Sequence, residues 1–184
     1  MQVAFGRNID LDPLAPGDPR REFGTAVLSR YPIVSARNTL LPLAPEGEQR
    51  GLLQVQVRTP WGLVKILGTH LQHTSTQERL DQVAAIKQLT QRCLQPTVLM
   101  GDLNAYPDSP EMASLLQKFR DSWAAVGRGD GFTFDSDDPK GRIDYVLTRN
   151  LVVPLTARVI PTLASDHLPL RVELAFAPWP LRGC

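Results

Sequence analysis

Apolar and polar positions alternate from Leu53 through the stretch LLQVQVR, residues 52–58, the period-two mark of a half-buried strand. TPWG then makes a turn and LVKILGTHL runs back, so the spacing predicts an antiparallel hairpin. The period changes further on. In TQERLDQVAAIKQLTQR, residues 76–92, the side chains Leu80, Val83, Ala84, Ile86 and Leu89 fall mostly on one face of a helix,. Thr76 is its expected N-cap, with Arg79 standing where a capping box would put Glu. TVLM reads as a short buried strand, and SPEMASLLQKF as a second helix capped by Ser109 with Pro110 in its first turn,. FGTAVLSRYPI, RIDYVLT (142–148), 152–160 and 168–176 read as further strands. Residues 10–22, DLDPLAPGDPRRE, gather Pro, Asp and Gly and predict a surface loop. Strands dominate, helices intervene, and hairpins mix with crossovers. That pattern predicts an α/β sandwich with mixed sheets, and no linker divides residues 1–184 into two domains.

Composition changes this picture little. A chain of 184 residues, 42% hydrophobic and 21% charged, is ordinary for one globular domain with its own core,. The formal net charge of +1 gives no pull toward a polyanion,. Sixteen arginines against four lysines still favour local bidentate contacts to phosphate,. Cys93 and Cys184 form neither a disulfide framework nor a metal motif and are expected as plain thiols,. No apolar run approaches the ~18 residues of a membrane span, and MQVAFGRNID lacks the regions of a signal peptide,. The default expectation is a cytoplasmic protein, a secretion signal upstream of Met1 remaining compatible with the sequence. Nothing in the sequence points to a protein partner.

The chemistry gathers at four strand ends: GTHLQH with His70, GDLN with Asp102 and Asn104, GRIDY with Asp144, and SDHLP with Asp166 and His167. Each has a plain structural reading when taken singly. His70 could be a hydrogen-bonded core histidine, and Asp102 or Asp166 could serve a turn. Asp144, between Ile143 and Tyr145 in a strand pattern, is harder to dismiss. Strands disfavour Asp, and a half-buried carboxylate needs a partner. A histidine would serve. Together the groups suit hydrolysis of a phosphate ester: Asp and Asn oxygens for a hard cation, cationic and metal charge to offset the phosphoryl oxygens, and a His held by an Asp for proton transfer. The sequence has no GxxxxGK[ST] loop, GxSxG elbow or HExxH pair, which removes three common hydrolase types.

The ordered set FGTAVLSRYPI, RGLLQVQV, LGTHLQHTSTQERLDQ, VLMGDLNAYPDSPE, GRIDYVLT and SDHLPLRVEL resembles the endonuclease/exonuclease/phosphatase superfamily, the DNase I-like group. The resemblance runs from about Phe23 to Leu174. It implies a four-layer sandwich of two packed mixed β-sheets flanked by helices, and a hydrolase dependent on Mg2+, or on Mn2+ in its place, that acts by in-line attack of water. By the same resemblance His70 would stabilise the reacting phosphate. Asp102 and Asn104 would position the water, bind phosphate and contact metal. Asp166 would be a metal ligand, and His167, oriented by Asp144, would act as acid/base or phosphate-binding group. The substrate would be a phosphoester in a lipid headgroup, a nucleic acid or a small molecule, and THLQH with the ERxxQ helix looks more like the lipid-phosphodiesterase and general hydrolase branches.

Members of that group also carry an early strand with Asn, as in TxNIH, and then LQE, whose Glu is a principal metal ligand. Neither motif is present here. Asn8 and Glu22 lie in segments that match the part after that Glu, and Glu46 and Glu48 read as a solvated loop. The expectation is therefore a domain lacking its first strands and its Glu motif, with an unpaired sheet edge, uncovered apolar surface, weak Mg2+ binding and slow turnover. The alternative expectation is a catalytically dead binding or scaffold module of the same fold.

Overall fold

The alternation that predicts a hairpin builds the middle of a larger sheet. The computed structural model describes residues 1–176. Along them run β1 (Gln2–Leu11), β2 (Arg21–Ser29), β3 (Ile33–Leu40), β4 (Gly51–Thr59), β5 (Gly62–Thr69), α1 (Thr76–Thr90), β6 (Thr97–Asp102), α2 (Pro110–Leu115), β7 (Arg120–Asp121), α3 (Ser122–Val126), β8 (Asp144–Arg149), β9 (Val152–Val159) and β10 (Leu170–Phe176). Six strands form one sheet in the order β3-β4-β5-β6-β8-β7. The sheet is mixed because α1 carries the chain from β5 to a parallel β6, while the other neighbours are antiparallel.

Both faces of this sheet are apolar. Leu52, Leu67, Leu99, Tyr145 and Leu147 point to the helix side, where Val83 and Ile86 of α1 and Met112 and Leu115 of α2 meet them. On the other face Leu53, Val55 and Val57 pack under Ala4 and Val27 of the β1–β2 hairpin. Burying one such aliphatic side chain contributes about 1.5–3 kcal/mol, and a one-residue slip would turn a whole set outward. The register of the strand ends is thus fixed by the core.

The second layer is split. It consists of two antiparallel pairs, β1-β2 and β10-β9, rather than one sheet. Among the described residues neither β2 nor β10 has a strand on its other side. The result is a mixed α/β sandwich whose second layer is divided.

Several local expectations are corrected. The loop expected over 10–22 is present at 12–20, with β1 reaching Leu11 and β2 beginning at Arg21; β1 itself is not among the predicted strands, and a register shift between Arg7 and Ile9 breaks its alternation,. β3 is an exposed edge strand with mixed polarity, so it too carries no clean period. The N-cap of α1 is Ser75, whose hydroxyl accepts from the Glu78 amide, not Thr76. The buried face of α1 is Glu78, Gln82, Val83, Ile86 and Thr90, while Ala84 and Leu89 are exposed. Gln82 spans to the Gln72 amide and to the Pro42 carbonyl, which explains a buried amide on that face. α2 stops at Leu115, short of the predicted Phe119, with Ser109 and Pro110 in their expected places. Cys93 is disulfide-bonded rather than a plain thiol; Cys184 lies outside the described residues. Among the described residues no helix is long and apolar enough to cross a membrane.

Candidate active site

Three strand termini meet at one end of the six-stranded sheet. β5 and β6 run parallel, with Gly68 beside Met100, so His70 leaves β5 next to the end of β6. β8 is antiparallel to β6 in a register that sets Asp144 directly across from Asp102. Gly101 makes this approach possible. Its φ is +143°, and a Cβ there would lie 1.8 Å from the Thr69 carbonyl oxygen. Only glycine lets β6 come so close to β5 at that point.

The chain then turns sharply. Asn104 adopts a left-handed φ of 47°. Its amide donates to Asp102 Oδ1 at 2.8 Å and its Nδ2 to the Leu71 carbonyl at 2.9 Å. The amide of Leu71 in turn donates to the Asp102 carbonyl at 3.0 Å. GDLN and GTHL are thereby tied together, and the Asn104 side-chain oxygen is left on the side away from that bond.

Asp102 sits between two imidazoles. Its Oδ2 is 3.3 Å from His70 Nε2 and 3.9 Å from His167 Nε2. The other ring nitrogen of His167, Nδ1, is 2.7 Å from Asp144 Oδ2. The partner expected for the Asp144 carboxylate is therefore this histidine. Asp144 is held from behind by Thr133, whose buried hydroxyl accepts from the Ile143 and Asp144 amides. Phe134 packs against the His167 ring at 4.9 Å between centroids. His167 also donates its amide to Ser165 Oγ. Asp166 is exposed and accepts from the Ser165 hydroxyl. The side chains of His70, His167, Asp144 and Asp102 are 35%, 26%, 22% and 15% exposed, so the cluster opens to solvent from a walled position.

The electrostatics separate the two histidines. Burial, then the charge of Arg50, lowers the His70 pKa to about 4, so this ring is neutral near pH 7,. For His167 burial acts downward, but the bond to Asp144 and its charge, with Asp102 and Asp166, outweigh it and raise the pKa. Burial pushes Asp102 up to about 6; Asp144 adds to this, while the Asn104 amide, His167 and Arg50 oppose it. The arrangement therefore offers a neutral imidazole, an imidazole with a raised pKa, and a carboxylate of unusual basicity, all around one point. Groups tuned apart in this way are suited to acid and base roles.

Of the residues singled out in the sequence, His70, Asp102, Asn104, Asp144 and His167 form one connected cluster. The exposed Asp166 carboxylate hydrogen-bonds Ser165 rather than a member of that cluster, and reaches it only as a neighbouring charge that raises the His167 pKa. Sequence reasoning missed Arg50. Its guanidinium is buried, pairs with Glu48 at 2.9 Å, lies 3.5 Å from His73 Nδ1, and faces the Phe23 ring. Phe23 in turn packs against His70. The signal was an arginine directly before a buried strand start, in EQRGLL, and Glu48 is the end of an ion pair rather than only a solvated loop residue.

A family model described as Endonuclease/Exonuclease/phosphatase family matches residues 3–167. Solved structures share the fold. An endonuclease/exonuclease/phosphatase from Beutenbergia cavernae DSM 12333 is 24% identical with a TM-score of 0.75, over 95% of this chain and 53% of that one. The human Nocturnin catalytic domain with a bound sulfate anion is 17% identical with a TM-score of 0.67, over 96% and 72%. The mannosyl-6-phosphatase Bt3783 of Bacteroides thetaiotaomicron VPI-5482 is 15% identical with a TM-score of 0.67, over 95% and 77%. The chain thus spans about half the length of the Beutenbergia protein.

Proposed function

The chain belongs to the endonuclease/exonuclease/phosphatase family, and on that premise we propose that its cluster hydrolyses a phosphoester by in-line attack of water. The observation that carries the reading is the meeting of the His167–Asp144 pair with Asp102, at 2.7 and 3.9 Å, on strand ends fixed by the core. In this reading His167, oriented by Asp144, presents Nε2 as a hydrogen-bond donor to phosphate and as a proton carrier. Asp102 accepts the proton of the attacking water. Neutral His70 donates to a phosphoryl oxygen, and Asn104 is held by its left-handed turn to bind phosphate beside Asp102.

Mg2+, or Mn2+ in its place, is the proposed cofactor. Among the described residues no three His, Cys, Asp or Glu side chains gather as a protein-only cage. Mg2+ asks for less, one or two carboxylates with waters and substrate phosphate completing its shell. The donor set meets that demand. Asp102 is a half-buried carboxylate facing Asp144, and Asn104 and Asp166 would add oxygens. The bound ion would neutralise charge developing on the phosphoryl oxygens.

A panel of DNA, sphingomyelin, inositol phosphates and bis(p-nitrophenyl) phosphate, each with and without Mg2+, tests the reading and identifies the ester. His167→Ala and Asp102→Ala should each lower turnover at least ~100-fold. Either variant keeping most of the activity refutes its assigned role. The second reading, a binding or scaffold module of the same fold, is favoured by the small protein ligand set. It predicts no turnover and no Mg2+-linked heat or stabilisation in calorimetry.

A further inference from the structure

The helix-side face of the six-stranded sheet changes character part-way along. Leu52 and Leu67 belong to the core there. Side chains alternate along a strand, so Gln54 and Gln56 of β4 and Lys65 of β5 stand on that same face. The register sets Lys65 opposite Gln56, and Arg37 of the edge strand β3 opposite Gln54. These four line a cavity of about 590 Å³, which the end of α1 bounds with Gln88 and Arg92. The apolar floor under the helix thus gives way to a concave polar one.

The charges in this cavity are of one sign. Arg37, Lys65 and Arg92 come from three different elements, and among the described residues no carboxylate lines the space. None of the three makes an ion pair among the described residues. Lys65 is half-buried, and burial, then the charge of Arg149, lowers its pKa. A cation held out of water with no counter-charge is costly. The carbonyl end of α1 does not supply one. The Arg149 guanidinium already takes the Thr90 and Cys93 carbonyls, at 3.2 and 2.5 Å, and Asn150 Nδ2 shares the latter at 2.9 Å.

These features specify a compact anion. The volume falls in the range of small-molecule sites, about 300–1,000 Å³. Three cations exceed the charge of a single phosphate group, about −1.5 to −2 near neutral pH. Guanidinium forks match pairs of phosphate oxygens, an ammonium adds a point charge, and glutamine amides add neutral donors. Cations on three separate walls suit a compact ion, whereas an extended acidic chain is better met by a row of cations along one face. We propose that the cavity bounded by β3, β4, β5 and the end of α1 binds a condensed phosphate, a di- or triphosphate either free or carried by a nucleotide. Lys65 precedes His70 by five residues on and just beyond β5, roughly 16 Å at the rise of a strand. The site is therefore separate from the His70–Asp102–His167 cluster, and the inference does not rest on hydrolysis.

The test is calorimetric titration of the metal-free 184-residue chain with tripolyphosphate, ATP, AMP and sulfate, with amide chemical shifts followed in parallel. Tripolyphosphate is expected to bind 1:1 and to shift amides of 35–37, 54–56, 65 and 88–92. AMP and sulfate should bind at least ~10-fold more weakly, having fewer charge-assisted bonds to make. Arg92→Glu and Lys65→Gln should each weaken tripolyphosphate at least ~10-fold, whereas Arg158→Glu, exposed on β9 in the second layer, should leave it unchanged. Arg92 is itself exposed, so its variant tests the site without disturbing the core. ATP binding more tightly than tripolyphosphate, with the same amides shifted, would identify a nucleotide as the carrier; equal affinity would identify the phosphate chain alone. No binding at ~1 mM, affinity unaffected by either variant, or equal affinity for sulfate would overturn the proposal. So would poly-glutamate binding where tripolyphosphate does not, or shifts confined to residues 70, 102–104, 144 and 167, which would give the ion to the candidate active site.

Discussion

Replacing Gly101 by Ala puts the placement of the site under direct test. The new Cβ would lie 1.8 Å from the Thr69 carbonyl oxygen and 3.0 Å from its carbon. Contacts below 3.0 Å are essentially never seen, so at least about 1.2 Å of relief is needed. The obstacle is backbone of the neighbouring strand, not the end of a flexible side chain. The φ of +143° adds strain of its own, about 1–3 kcal/mol for a residue with a Cβ. With the separation forced on β5 and β6, the expected total is at least ~3 kcal/mol. For a domain of this size that is a fall in Tm of about 6–12 °C. Gly17 is the internal control: its φ is +94°, but nothing stands within 4 Å of a Cβ there, so Gly17→Ala should show the conformational strain alone. Urea unfolding of both variants, with the slope unchanged and the midpoint shifted, separates the two contributions. In the folded Gly101→Ala protein the His70 and His167 ring resonances should also move, because both histidines meet at Asp102. A cost within ~0.5 kcal/mol of the Gly17→Ala value would refute the claim that strand approach at Gly101 sets the site.

Two further outcomes follow from particular contacts. Ser75→Ala should cost about 1 kcal/mol in chemical denaturation by removing the cap on the Glu78 amide, whereas Thr76→Ala should stay within about 0.5 kcal/mol,; the reverse order would restore Thr76 as the cap. Arg50→Met should raise the His70 pKa in the metal-free protein, because removing a nearby cation favours the imidazolium, although burial remains the larger influence; an NMR titration showing a lower or unchanged value would contradict the assigned role of Arg50.

Much of the site was legible because its residues conflict with their local setting. An aspartate inside RIDYVLT, or two short polar side chains at the end of VLM, is costly unless a partner waits. The sequence could state that need without locating the partner. That Asp144 meets His167 depends on β10 returning beside β8, and on Thr133 and Phe134, which no local pattern marked. The same limit hid Arg50. An arginine in EQRGLL looks solvated until the β2 and β4 strands close around it.

Periodicity and turn chemistry by themselves determined most of the elements: the β4–β5 hairpin, the long helix and the strands at β6, β8, β9 and β10. They did so because one-sided burial leaves a period in the chain. Where burial is two-sided, polar or absent, the period fails. β3 is an exposed edge, β1 carries a register shift, and α1 buries a glutamate and a glutamine that pair with each other, the glutamine also reaching the distant Gln72 amide and Pro42 carbonyl. Tertiary structure alone decided which strand ends lie together, how far apart their charges sit, and hence that the pKa of one histidine is lowered while that of its neighbour is raised. It also decided that the second layer is divided. Sheet continuity is a matter of which strands pair across space, and no window of sequence contains both the β1–β2 and the β9–β10 pair.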